Sequence, residues 1–294
     1  MLYKINEKSI IKISGGLGNQ LFQFSFGYFL ESKMKIKVAY DVGVIQDSKE
    51  FTNRQLDIEK FNIHLPFATE EEIAEKKKLH QKLWRIERKL VFLFPWFNKK
   101  MRVQNNPHDD VEIGESIYYD GYWQNYKYPE AILDFLRKKI VFNKEQELRH
   151  NVLISKIQNS VSVSVHIRRS DYLTIPVNAK IFNVCEKGYY DKGFSYIKSK
   201  YPDAVFFIFT QDIEWAKENI SEDNCHFVEG NTAIEDMILM SRCKHNIIAN
   251  STFSWWSAFL NSNEEKVVIA PEKWYKNELN NTISTIIPLK WIRL

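Results

Sequence analysis

From Val161 onward, short apolar runs alternate with segments of helical spacing, and this rhythm restricts the fold more than any other feature of the chain. Residues 161–167, 204–209, 226–228, 246–249 and 266–270 read as strands, and 188–200, 214–219, 232–243 and 254–260 as the helices between them. Strands separated by helices pair in parallel, because each crossover returns the chain to the same end of the sheet. The expectation is an α/β, doubly wound unit. The first half states the theme once: 10–14 is a buried strand closing on Gly15, Gly16, Leu17 and Gly18, 19–30 is a helix apolar on nearly every side, and 38–40 is a strand ended by Asp41. After a helix over 131–139, the polar stretch 143–159 reads as a joining region. Two α/β domains, 1–155 and 156–294, facing each other across a cleft, are the expected architecture.

A chain of 294 residues is long enough for two cores. Its net charge of +4, from 41 Lys and Arg against 37 Asp and Glu, is too even for a nucleic-acid footprint. Cys185, Cys225 and Cys243 are odd in number and lack Cys-x-x-Cys spacing, so a reducing compartment is expected, without disulfide or zinc. The first residues have no apolar signal core, and no run reaches membrane-spanning length, so the expected location is cytoplasmic. Residues 69–90 read as one amphipathic helix, with Thr69 and Glu72 at capping-box spacing and Leu79, Leu83, Ile86 and Leu90 on one face. Its basic other face runs into the aromatic stretch 92–97 and then Lys99 and Lys100. A solvated face is the ordinary reading. Peripheral contact of 69–100 with the inner face of an anionic membrane, where lipid-linked acceptors reside, is the second.

In 161–171, strand parity puts Val161, Val163, Val165 and Ile167 on one face and Ser162, Ser164, His166 and Arg168 on the other. A polar face ending in His and Arg at a strand's carboxyl end is where α/β proteins bind ligands. Arginine suits a diphosphate, since its planar fork donates two hydrogen bonds to one anion. An ion pair of Arg168 or Arg169 with Asp171 is the structural alternative, which leaves one arginine for phosphate. Parity leaves open which one.

In 246–260, a strand runs into Asn250, Ser251, Thr252 and Phe253, with a helix opening near Ser254. A helix amino terminus holds anions through free N–H groups and its dipole. One of the three hydroxyls is expected to cap this helix, and the surplus argues for a phosphate cradle. In the loop of Gly18 and Asn19, small residues admit a ligand to the backbone, although a tight turn capped by Asn19 explains it equally. Thr232 and Glu235 repeat the capping-box spacing, which leaves neighbouring Asp236 as the better carboxylate for guanine's donors. Thr210, Gln211 and Asp212 end a strand, where turn chemistry also places Asp. Tyr122, Trp123 and Gln124, after Asp120 and Gly121, combine rings with an amide, suiting either a sugar or a buried strand end. There is no Asp-x-Asp pair and no Walker, Gly-x-Ser-x-Gly or His-Glu-x-x-His motif. Charge neutralisation by arginine and a helix end, without metal or other cofactor, follows as the expectation.

These segments resemble the bacterial α-1,2-fucosyltransferases: GGLGNQLFQFSFGYFL at 15–30, GYWQ at 121–124, HIRRSDY at 166–172 and EDMILMSRCKHNIIANSTFSWWSAFL at 235–260 fall in matching order. The resemblance implies a GT-B arrangement of two Rossmann-like domains, the first on the acceptor side and the second binding GDP-fucose. It implies inversion at the fucosyl carbon, no metal, and an acceptor ending in β-galactose, as an oligosaccharide or a lipid-linked glycan. Carried across by position, Arg168 and Arg169 are the catalytic pair, with Arg168 favoured for the β-phosphate. His166, Gly18, Asn19, Ser251, Thr252, Phe253 and Ser254 line the donor, and Asp236 reads guanine, with Glu235 beside it. Asp41, Tyr122, Trp123 and Gln124 are the candidates for the acceptor side. Two departures are Ser170, where the family has glycine, and Thr210-Gln211-Asp212 in place of Ser-Asp-Asp.

As the fucose–phosphate bond breaks, charge grows on the GDP β-phosphate, and preorganised donors lower that barrier. Asp41 and Asp171 are the candidates for a general base, beside a base-poor displacement. Two other readings stay open: a GT-B transferase for a different nucleotide sugar, and a catalytically silent glycan-binding relative.

Overall fold

A computed structural model of the chain describes residues 8–46, 55–80, 83–104, 106, 110–169, 176–182, 184–276 and 285–294. The chain divides into two compact units, Met1–Phe135 and Leu136–Leu294.

In the first unit, β1 (Ser9–Lys12), β2 (Val38–Asp41), β3 (Met101–Val103) and β4 (Tyr118–Asp120) lie parallel in the order β2-β1-β4-β3. Helix α1 (Leu17–Met34) starts after Gly16 and stops at Lys35, whose left-handed φ of 61° turns its N–H back onto the Leu30 carbonyl. The helix approaches β2 so closely that a Cβ on Gly27 would sit 2.4 Å from the Tyr40 hydroxyl.

The single helix expected over 69–90 is two: α2 (Glu70–Lys76), closed at its start by the Thr69–Glu72 capping box, and α3 (Trp84–Leu93). The break has a cause in Glu87, which is fully buried. Its carboxylate accepts from the N–H groups of Lys78 and Leu79, at 2.6 and 3.4 Å, and from Asn98 Nδ2 at 2.9 Å. A side chain that captures consecutive backbone N–H groups competes with the helical ladder. Leu83 and Ile86 are therefore exposed, while Glu87 and Val91 are buried. The basic face is divided as well: Lys76 is buried and Lys77 reaches Asp41, whereas Arg85 and Lys89 stay exposed.

In the second unit, β5 (Val161–Ile167), β6 (Ala204–Thr210), β7 (Cys225–Val228), β8 (His245–Ile247), β9 (Val268–Ala270) and β10 (Ile292–Arg293) form one parallel sheet in the order β10-β9-β8-β5-β6-β7. The expected alternation of strands and helices is observed. The polar stretch expected to join the domains is instead helical and belongs to this unit, as α4 (Lys144–Arg149) and α5 (Asn151–Gln158). Asn143 and Gln146 form a capping box for α4, and Ile154 and Ile157 of α5 are buried. The remaining helices are α6 (Lys187–Lys200), α7 (Ile213–Asn219), α8 (Ala233–Arg242) and α9 (Thr252–Leu260).

The parity of β5 is as its sequence implies. Val163, Val165 and Ile167 share a core with Tyr190, Phe194 and Ile197 of α6. On the other face the Ser162 hydroxyl accepts from the Lys244 N–H at 3.0 Å, and that of Ser164 accepts from Asn246 Nδ2 at 2.7 Å. From β5 the chain winds outward through β6 and β7, then crosses to β8 on the other side. The carboxyl ends of β5 and β8 therefore flank a topological switch point, where open α/β sheets leave a crevice.

Candidate active site

At this switch point His166, one residue before the end of β5, is buried, with its ring centroid 5.4 Å from that of Phe253 in the first turn of α9. Together with Arg168, Gln211, Asn231 and Asp236 they line a cavity of about 190 Å³. A hollow of about 560 Å³, which includes Arg137, Cys243, Lys244 and Asn261, is larger. It lies at the amino-terminal end of β8, away from the carboxyl edge, so size is a poor guide here.

Burial pushes the His166 pKa down to about 3, and the Arg168 charge adds to the shift, so the ring is neutral at ordinary pH. Its Nδ1 is buried and has no hydrogen-bond partner among the described residues. An orphaned ring nitrogen in a lined cavity is a site for a ligand polar group. Asp236 is pushed up to about 6 by burial, a shift opposed by Asn231 Nδ2, which donates to its Oδ1 at 3.0 Å. A carboxylate with one such bond retains acceptor capacity.

The two arginines separate. Arg168 lines the cavity and donates through Nη1 to Gln211 Oε1 at 3.4 Å. Arg169 donates through Nε to Asp212 Oδ2 at 3.0 Å, and its guanidinium lies 4.0 Å from the Trp215 ring centroid. Asp212 also caps α7, accepting from the Trp215 N–H at 3.4 Å. Arg169 is thus engaged by Asp212 and Trp215 while Arg168 lines the cavity, and the expected partner Asp171 lies outside the described residues, as does Ser170.

Two further corrections concern the donor candidates. Ser251 is the N-cap of α9 and makes no side-chain capping bond, so the cap expected from one of the three hydroxyls is not made. Ser254 is fully buried and donates to the carbonyls of Ala249 and Ser251 at 3.4 and 3.3 Å, which withdraws it from any cradle. Ser251, Thr252 and the first N–H groups of α9 keep that role open. Glu235 closes the capping box with Thr232 and pairs with Arg149, with His150 Nε2 3.4 Å away. Its neighbour Asp236, not Glu235, faces the cavity.

In the first unit, the first turn of α1 meets the loop after β4: Gln124 Nε2 donates to Asn19 Oδ1 at 2.9 Å. Asn19 lies within α1, so it is not the cap of that helix, and Gly18 is buried in the first turn. Gln104 Oε1 accepts from the N–H groups of Tyr122 and Trp123, both at 2.9 Å. Trp123 has a left-handed φ of 53° and is fully buried, stacked on Phe26 at 4.8 Å. It is a core residue, and of the expected acceptor group Tyr122 alone is exposed. Asp41 is buried and accepts from the Tyr118 hydroxyl at 2.6 Å and the Gly43 N–H at 3.0 Å, with Lys77 Nζ 3.6 Å away. A carboxylate so occupied is no free base.

Gly230 and Asn231, absent from the sequence candidates, also line the cavity, and Gly230 has a φ of 80°. Their signal was positional: they directly follow a strand next to one already implicated. Among the described residues no cluster of His, Cys, Asp and Glu is arranged to hold a metal.

The family model described as glycosyl transferase family 11 matches residues 8–294. The chain is 32% identical to the O-antigen biosynthesis glycosyltransferase WbnK of Escherichia coli, over 96% of this chain and 99% of that protein. It is also 32% identical to an alpha-1,2-colitosyltransferase of Escherichia coli, over 97% and 98%. Galactoside alpha-(1,2)-fucosyltransferase 2 of Rattus norvegicus is 28% identical over 50% of this chain and 44% of that protein.

Proposed function

The chain belongs to glycosyl transferase family 11, and from that premise we propose that it moves L-fucose from GDP-fucose to the 2-hydroxyl of a terminal β-galactoside, with inversion and without metal. The observation that carries the donor half is the cavity at the switch point, where His166, Arg168 and Asp236 converge. Guanine presents two donors, N1–H and the exocyclic amine, and a desolvated carboxylate such as Asp236 is the complement to them. Arg168 and the amino terminus of α9 offer fixed positive charge to the diphosphate. As the glycosidic bond to phosphate lengthens, negative charge accumulates on the β-phosphate, and donors already in place stabilise it without reorganisation. His166 is neutral, so it orients a ligand atom by hydrogen bonding and adds no charge.

The acceptor half rests on the first unit, where Tyr122 is exposed and the Asn19–Gln124 pair ties the first turn of α1 to the loop after β4. With Asp41 occupied, a displacement with little base assistance fits the described residues better than deprotonation by that carboxylate. A second donor sugar has its own support: a colitosyltransferase is as similar to this chain as the O-antigen enzyme. The two readings share the GDP site and differ in the sugar. Nucleotide release should be measured with GDP-fucose, GDP-colitose, GDP-mannose and UDP-galactose, each with a β-galactoside acceptor. Turnover with GDP-fucose and linkage to the 2-hydroxyl are expected; preference for a UDP sugar would overturn the reading of Asp236.

A further inference from the structure

The outer face of α3 is unlike the surface around it. Arg85, Ile86, Lys89, Phe92 and Leu93 are exposed, while Glu87 and Val91 are buried on the opposite side. The exposed run continues through Phe94 and Pro95 to Trp96 at the 3-10 turn Pro95–Phe97, and then to Lys99 and Lys100. Trp96 is 69% exposed, the only exposed tryptophan of the eight in the chain, and its ring lies 5.3 Å from that of Phe94. Between residues 83 and 100 the sole acidic residue is buried Glu87.

We propose that the surface formed by Ile86, Phe92, Leu93, Phe94 and Trp96, flanked by Arg85, Lys89, Lys99 and Lys100, docks the protein on an anionic lipid bilayer. Large rings beside aliphatic side chains gain by leaving water, and tryptophan settles at the boundary between headgroups and acyl chains. Arg85 and Lys89 share the exposed face of α3 with Ile86, Phe92 and Leu93, and Lys99 and Lys100 are exposed just beyond Trp96, where each cation gains from an anionic leaflet. A second copy docking through the same face would set these cations against their own kind. The bilayer asks for apolar depth and positive charge, and both are present. No helix among the described residues is long and apolar enough to cross a membrane, so this contact is interfacial.

The full chain should co-sediment with vesicles of phosphatidylcholine and phosphatidylglycerol, bind phosphatidylcholine alone far less, and be released by salt. Brominated acyl chains should quench part of its tryptophan fluorescence, and Trp96→Ser should remove that part. Leu93→Ser with Trp96→Ser, and separately Lys99→Glu with Lys100→Glu, should each lower the partition coefficient by about tenfold or more. Melting temperature and turnover on a water-soluble galactoside should be unchanged in both. Failure to bind the mixed vesicles, or binding indifferent to both pairs, overturns the proposal. So does finding that Trp96→Ser instead dissolves a dimer or a complex with an acidic protein.

Discussion

The carboxyl edges of the two sheets carry comparable charges and handle them in opposite ways. At the first, Lys12 Nζ lies 3.1 Å from Asp120 Oδ2 and 3.9 Å from the Trp84 ring centroid, and Asp41 holds Tyr118 and Lys77. Burial lowers the Lys12 pKa even with Asp120 beside it. At the second edge, His166 Nδ1 has no partner among the described residues, and Asp236 accepts from one amide beside an open cavity. Buried charge that is internally matched holds a fold together, while buried polarity left over at a cavity is capacity for a ligand.

The largest effect that could break this contrast lies on the closed side. Asp120→Ala leaves Lys12 buried without its counter-charge and should cost about 3–5 kcal/mol of stability. Urea unfolding with little change would mean that the pair is solvated. On the open side, Arg168→Lys keeps the charge and loses the fork, so kcat should fall by roughly 10²–10³-fold, the scale of one lost transition-state donor. Arg169→Lys should lower the melting temperature and leave kcat within a few-fold. Steady-state rates and melting curves for both variants, taken side by side, test the division of labour; equal losses of kcat would refute it.

Asp236→Asn should weaken GDP binding by about 1–3 kcal/mol and leave UDP binding alone, as expected for one unpaired buried group. Because Asp236 titrates near 6 when the cavity is empty, GDP affinity should decline as pH falls through that value and its carboxylate is protonated. Calorimetric titrations between pH 5 and 8 should show this for the native chain and a flatter profile for the variant. The smallest expected effect is none: excess chelator should leave initial rates unchanged, and a loss restored by a divalent metal would reject charge neutralisation by arginine alone.

Much of the second unit was legible from residues. In β5, alternation separated the apolar face from the polar one correctly, since a strand's period of two needs no tertiary information. The capping boxes at Thr69, Thr232 and Asn143 are equally local. Of these, the Asn143–Gln146 box lay in a stretch whose polar composition suggested a linker. The first unit was harder because its decisive residues act across the chain: Glu87 breaks a helix by reaching back to Lys78 and Leu79, and Gln104 shapes the turn of Tyr122 and Trp123.

The sequence by itself determined which residues could share a strand face, the alternation of strands and helices from Val161 onward, and that arginine, hydroxyls and carboxylates gather at strand ends. Only the tertiary structure decided which of them are spent. Arg168 and Arg169 are adjacent and chemically identical, yet Asp212 and Trp215, 43 and 46 positions beyond Arg169, hold it while Arg168 faces the cavity. Ser251 and Ser254 likewise part company, one at the helix start and the other turned inward to carbonyl groups. A hydrogen bond or ion pair is made with whatever the fold brings within about 3 Å, and that proximity is a property of packing, not of composition.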